Sequence, residues 1–167
     1  MRKMFTSKLL SRDTKKKLYI AYLRPIVMYR CETWSTTQGD ENNLLTFERK
    51  ILRKIYGPIL NPNTGVYERR KNADLDSLFN TANLKDFLRS KRLEWAGHVW
   101  RAESGLIRQV LINKPNKKRP VGRPRQRWLD RVKDDLKRLR NGASIEDAED
   151  REVWRALVEA AKHLNGA

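Results

Sequence analysis

The chain has 167 residues, enough for one ordinary domain or two small ones. It carries 37 Lys and Arg against 20 Asp and Glu, a formal charge of +17, with a hydrophobic fraction of 39%. The single cysteine, Cys31, excludes a disulfide framework. Even with His98 and His163 it cannot complete a four-ligand Cys/His zinc site, and no run of apolar residues is long enough to span a membrane.

Charge at this density repels itself in a folded chain and points to a polyanionic partner. Nucleic acid is the first expectation, because Lys and Arg that neutralise phosphates release condensed counterions. A membrane surface and plain basicity are the lesser readings. The charge is also segregated. Residues 1–24 hold Arg2, Lys3, Lys8, Arg12, Lys15, Lys16, Lys17 and Arg24 against Asp13 alone, and residues 114–127 are basic and free of acids. The tail from Asn141 is acidic, with Glu146, Asp147, Glu149, Asp150, Glu152 and Glu159 against Arg151, Arg155 and Lys162. Such segregation favours a directed binding surface.

In chain order, the opening MRKMFTSKLLSR is basic and lacks an apolar core, which excludes a secretory signal and leaves mitochondrial targeting open. Ser11 is placed to cap a helix with Asp13 in its first turn. Leu18, Tyr22, Ile26 and Tyr29 read as its buried stripe, Lys15, Lys16 and Lys17 as its solvent side, and Pro25 as a kink or break. A second helix spans about residues 40–56, with Leu44, Phe47, Ile51 and Ile55 inward and Glu48, Arg49, Lys50, Arg53 and Lys54 on or beside the other face. Gly57-Pro58 stops it, and residues 57–71 read as a linker.

Asn72 can cap a short helix containing Leu75, Leu78 and Phe79. A longer helix, about residues 83–101, carries two apolar stripes: Leu84, Phe87, Leu88, Trp95 and Val99, then Leu93, Ala96 and Trp100. Such a helix is packed on two sides or offers one to a partner. His98 reads as a hydrogen-bonded edge residue. The apolar run 106–112, helix or strand, passes into KPNKKRPVGRPR, an extended arm punctuated by proline. Residues 126–140 form a helix with the stripe Trp128, Val132, Leu136 and Leu139, ended by Asn141-Gly142; Asp134 can pair with Arg138. Ser144 with Asp147 resembles a capping box, and Asp150 caps a last helix with Val153, Trp154, Leu157, Val158, Ala161 and Leu164. No strand pattern is clear.

No catalytic constellation stands out: there is no phosphate loop, no G-x-S-x-G and no H-E-x-x-H. Cys31 reads as a quiet, half-buried thiol, and Asp134-Asp135 as solvated helix charge. Arg119 to Arg125, RPVGRPR, contains the Gly-Arg-Pro centre of an AT-hook. Val121 stands where that motif wants another Arg, so a general phosphate-binding arm is preferred. A tight turn presenting Trp128 to the core is compatible with either.

Three strings together resemble a known family. LYIAYLRPIVMYRCETWSTT (Leu18–Thr37), continued by ERKILRKIYGP (Glu48–Pro58), is similar to the thumb region of non-LTR (LINE-type) retrotransposon endonuclease–reverse transcriptases. RLEWAGHVWR (Arg92–Arg101) and GRPRQRWLDRVKDDL (Gly122–Leu136) resemble that family's "RLxWxGHxxR" and "GRPxxRWxDxVxxDL" segments, in the same order. Arg30 departs from the pattern, since the family often has Gly after this Tyr. The fingers and palm, with the Tyr-X-Asp-Asp that binds magnesium, are missing from this stretch, as are the endonuclease and the zinc knuckle of some relatives. The resemblance implies descent from an RNA-directed DNA polymerase but no polymerase chemistry in these residues, because nucleotidyl transfer needs metal-held carboxylates.

The combined expectation is an all-α protein of about six helices in two lobes: a thumb-like lobe over 1–57, a linker over 58–71, and a helical extension over 72–167 with a basic arm at 114–127. It is expected to be intracellular, in nucleus or cytoplasm, and to bind template–primer duplex or element RNA without a catalytic centre, cofactor, metal or membrane. Lys15, Lys16, Lys17, Arg24, Lys117, Lys118, Arg119, Arg123, Arg125 and Arg127 are the expected phosphate contacts, with Tyr and Trp mostly in the core. Two rivals stand: a stand-alone or domesticated DNA-binding module using the 126–140 helix, and a protein-interaction fragment that docks on a polymerase palm.

Overall fold

The structure, a computed structural model, describes residues 2–102, 105–113 and 127–163. It is essentially all-α, and it divides into two compact units. Unit 1 comprises Met1–Tyr29 and Gly39–Lys85; unit 2 comprises Arg30–Gln38 and Asp86–Asn165.

Unit 1 begins with α1 (Arg2–Thr6) and α2 (Arg12–Leu18). Ser11 caps α2, its hydroxyl accepting from the Thr14 amide at 3.1 Å. Pro25 breaks nothing. A single π-helical turn, Tyr19–Leu23, precedes it, with the Arg24 amide bonding back to the Tyr19 carbonyl, and α3 (Arg24–Val27) continues the helix. The wide turn sits just before the residue that lacks an N–H, where a regular turn would meet the proline ring. The expected stripe is also corrected. Tyr22, Ile26 and Tyr29 are 53%, 54% and 70% exposed, whereas Lys15, Tyr19, Leu23, Arg24 and Met28 are buried. The inward row includes a lysine and an arginine whose aliphatic stems tolerate burial, so hydropathy favoured the neighbouring row.

α4 (Gln38–Tyr56) ends at Gly57, whose φ of +71° suits glycine. The expected linker is instead an antiparallel hairpin within unit 1. β1 (Ile59–Leu60) pairs with β2 (Tyr67–Glu68), and Arg70 Nε donates to the Gly57 carbonyl at 3.0 Å. α5 (Asn72–Phe79) follows, its first turn fastened by the Lys71 amide donating to Asp74 at 3.1 Å. Leu75 and Phe79 join Phe5, Tyr19, Leu23, Ile51, Leu52, Ile55 and Tyr56 in one core. The first compact body therefore does not end at residue 57: the core is incomplete without α5.

Unit 2 is organised on α6 (Leu84–Trp100), which begins at the end of unit 1 and is buried on most sides from Asp86 onward. α7 (Gly105–Ile112), α8 (Trp128–Leu139), a 3-10 turn (Ile145–Glu149) and α9 (Arg151–Ala161) follow. Leu93, Ala96 and Trp100 pack with Val132, Leu136, Ile145, Ala148, Trp154, Leu157 and Ala161. Gly97 sets the approach of α6 to α9: a Cβ there would overlap the Trp154 indole, whose Nε1 donates to the Leu93 carbonyl at 2.9 Å. The caps expected in this unit are present, whereas in unit 1 the N-cap of α5 is Lys71 and not the expected Asn72. Asp147 accepts from the Ser144 amide, and Asp150 from the amides of Glu152 and Val153.

Candidate nucleic-acid interface

Much of the lettering of the three motif strings serves the interior of unit 2. Arg92 is fully buried; it donates to Asp135 at 2.6 Å and to the Thr36 hydroxyl at 2.9 Å. Arg89 lies 3.5 Å from Asp135 and 3.4 Å from Asp86. Trp128 Nε1 donates to the Glu32 carbonyl at 2.7 Å. Two arginines and two aspartates thus balance one another, since a buried charge survives only when it is paired and hydrogen-bonded. Asp135 is 1% exposed, so half of the Asp134-Asp135 expectation is corrected. Asp134 faces Arg131 at 3.6 Å, while Arg138 donates to Gln38. Cys31 is buried as well, and burial pushes its thiol up to about 11.

Unit 1 holds a second buried polar knot. Glu48 accepts from the Tyr19 hydroxyl at 2.7 Å and the Leu84 amide at 2.8 Å, with Arg24 at 3.8 Å. Burial raises the Glu48 carboxyl above the usual range despite these donors. The same burial, reinforced by Glu48, pushes the Tyr19 phenol up. Arg24 also donates to the Ala82 carbonyl.

Arg24 is therefore corrected from a phosphate contact to an interior residue, and Lys15, 7% exposed, is likewise turned inward. Lys16 is half-buried, its ammonium 5.5 Å above the Phe79 ring. Lys17 is exposed and paired with Asp13 at 2.9 Å. Arg127 is half-buried and lines an apolar cavity of about 670 Å³ with Trp95, Trp100, Val110, Leu111 and Trp128. Lys117, Lys118, Arg119, Arg123 and Arg125 lie outside the described residues. Trp154 and Trp100 are core, but Tyr22, Tyr29 and Tyr67 are well exposed, which corrects the expectation for tyrosine.

The surface offers cations that the sequence reading did not single out. Arg49, Arg53 and Arg69 converge in unit 1: burial lowers the Arg53 pKa, and the neighbouring Arg69 and Arg49 lower it further. Asp76 answers Arg49 at 3.3 Å, and Asn72 accepts from Arg53 at 2.6 Å. Lys50, Lys54, Arg69 and Lys71 are exposed around this group. The hairpin beside it exposes Val66 and Tyr67 at 59% and 70%. A clue was available: α4 repeats Arg-Lys at 49–50 and 53–54, one turn apart.

Burial also sharpens the charge arithmetic. Among the described residues, Lys15, Arg24, Lys85, Arg89, Arg92 and Arg131 are buried with Glu41, Glu48, Asp86 and Asp135. Taking these six cations and four carboxylates from the totals of 37 and 20 leaves 31 against 16 elsewhere in the chain. The interior is nearly balanced, so the positive excess belongs to the remainder.

A 163-residue alignment shows the chain to be 24% identical to an uncharacterized transposon-derived protein of Caenorhabditis elegans. The alignment covers 92% of this chain but 57% of that protein, so the chain spans less than two thirds of its relative's length. No family model and no solved structure matches. The fold is that of an essentially all-α protein, and the comparison relates it to a transposon-derived one. Among its described residues, no helix is long and apolar enough to cross a membrane.

Proposed function

We propose that the chain is a nucleic-acid-binding part of a non-LTR retrotransposon-like reverse transcriptase, gripping template–primer duplex or element RNA without chemistry of its own. The observation that carries this reading is the excess of 31 cations over 16 acids left once the charges buried among the described residues are set aside. Cations held outside the core release counterions from a phosphate backbone, which supplies affinity without reading sequence. The order of the three motif strings and the transposon-derived relative support the element origin. Binding is proposed to run through Lys17, Arg49, Arg53 and Arg69 in unit 1, with the 114–127 segment as a further contact. An intracellular location, nuclear or cytoplasmic, belongs to the same proposal.

The test compares an RNA–DNA hybrid, A-like in shape, with a B-form DNA duplex of the same sequence by fluorescence anisotropy. A thumb-like grip gives tighter binding to the hybrid and little change on swapping one base pair. A loss of about 1–3 kcal/mol for a single base-pair change would instead establish the domesticated DNA-binding module.

One observation favours the protein-interaction rival. Tyr22 and Ile26 lie on one exposed helical row, with Tyr29 exposed just beyond α3, an apolar surface of the kind that marks a docking face. Rescue of poor solubility by co-expressed polymerase palm would support it.

A further inference from the structure

A groove of about 700 Å³ runs within unit 2 along α6 and α9. From α6 it is lined by Phe87, Lys91, Glu94 and His98, a helical row at steps of three and four residues, and just past the helix by Arg101. From α9 come Arg151, Arg155, Glu159 and Lys162, and Trp154 is buried against it.

The charge in this groove is selective. The stretch from Asn141 to Lys162 is acidic overall, yet all its cations, Arg151, Arg155 and Lys162, line the groove. Of the six acids there, Glu159 alone does so, and it is engaged by Lys162 at 2.6 Å. On the α6 side Glu94 is engaged by Lys91 at 2.7 Å. Arg101 donates to the Ala148 carbonyl at 2.6 Å. Arg151 and Arg155 are exposed and form no ion pair with any described residue. The His98 ring is exposed beside Trp95, with centroids 5.3 Å apart. Within the string RLEWAGHVWR, then, Arg92 and Gly97 are explained by interior packing, whereas His98 and Arg101 open onto the groove.

We infer that this groove seats the sugar–phosphate backbone of an unpaired nucleic-acid strand. The inference rests on the nucleic-acid reading above and assigns it a location and a strand state. From Arg151 to Lys162 the cations extend about 16 Å along α9, more than a single phosphate needs and the length of roughly five stacked nucleotides. Arginines one turn apart meet phosphates, while the exposed His98 ring offers a flat face on which an unpaired base can stack.

The experiment is an anisotropy titration of the whole chain with fluorescein-labelled oligo-U, oligo-dT and a DNA duplex at low salt. The wild type is compared with Arg151→Gln/Arg155→Gln, both exposed helix positions, and with Lys133→Gln/Lys137→Gln on α8 as a charge-matched control. The groove pair should lose roughly tenfold in affinity for the unpaired strands, with a shallower salt slope, because each lost phosphate contact takes about one from the slope. The control pair should stay within about twofold, as befits diffuse charge. Equal losses in both pairs overturn the groove as the seat. A wild type that binds duplex but no unpaired strand also overturns it and leaves the general reading standing; binding to neither fells both. As a check independent of the variants, a photo-crosslinkable halouracil strand should attach to the peptides carrying Phe87 or His98. Crosslinks confined to other peptides contradict the inference.

Discussion

Replacing Asp135 by Asn keeps the side chain's shape and removes one charge from the interior of unit 2. Arg92, fully buried, would retain the Thr36 hydroxyl, and Arg89 would retain Asp86 at 3.4 Å, so one guanidinium loses its counter-charge. Removing one partner of a buried pair costs about 3–5 kcal/mol. The amide oxygen still accepts one hydrogen bond and returns about 1 kcal/mol. A net loss of about 2–4 kcal/mol follows, or a urea midpoint lower by about 2 M at an ordinary denaturant slope. The assay is selective by composition. Trp34, Trp95, Trp100, Trp128 and Trp154 all belong to unit 2, and the five tyrosines all belong to unit 1, so tryptophan emission reports unit 2. Arg92→Met combined with Asp135→Leu should be less destabilised than either single change, because apolar residues of similar volume replace buried pairs at little cost. A midpoint shift below about 0.5 M for Asp135→Asn, or single effects that simply add, would refute this role for the charges.

Three further outcomes are expected. Gly97→Ala should destabilise unit 2 and perturb tryptophan emission: overpacking against Trp154 costs about 1–3 kcal/mol, against a helix-propensity gain of about 1 kcal/mol. A stability gain would show that the indole yields freely. Arg30 holds φ at +51°, a conformation that costs a non-glycine residue about 1–2 kcal/mol, so Arg30→Gly should raise the melting temperature; a lower one would contradict the strain. Glu48 titrates above its unfolded value, so the neutral form is favoured in the fold. The stability it contributes is complete below the usual glutamate value of about 4.3 and is lost as pH rises through the raised one. The stability of the wild type relative to Glu48→Gln, followed by tyrosine near-ultraviolet circular dichroism, should therefore fall as pH rises from that value. A difference that grows with pH would reverse the sign of the shift.

Helix positions were legible because they follow local rules. Ser11, Asp150 and the Ser144–Asp147 pair announced their caps, and Gly57 and Gly142 their stops. Burial was less legible wherever polar residues go inward. Glu48 and Asp135 read as solvated charge because periodicity weighs a residue by type and cannot see a partner 36 or 43 residues away. The hairpin over Ile59–Glu68 escaped notice because two paired residues on each strand leave no alternation to detect. Arg30 is the reverse case: the resemblance flagged an absent glycine, and the left-handed backbone there explains why glycine suits the position. The interface was legible as net charge and not as residues. Arg24 and Lys15 were chosen by sign alone, while the lining of the α6–α9 groove combines cations from an apparently acidic tail with a histidine from a distant motif.

The most direct measurement is the affinity of the wild-type chain for an RNA–DNA hybrid as a function of salt. Neutralisation of roughly six or more phosphates by surface cations would weaken binding about a thousandfold or more between about 50 and 200 mM salt. No association at the low end, or an affinity indifferent to salt, would contradict the claim that this charge exists to hold a nucleic-acid backbone.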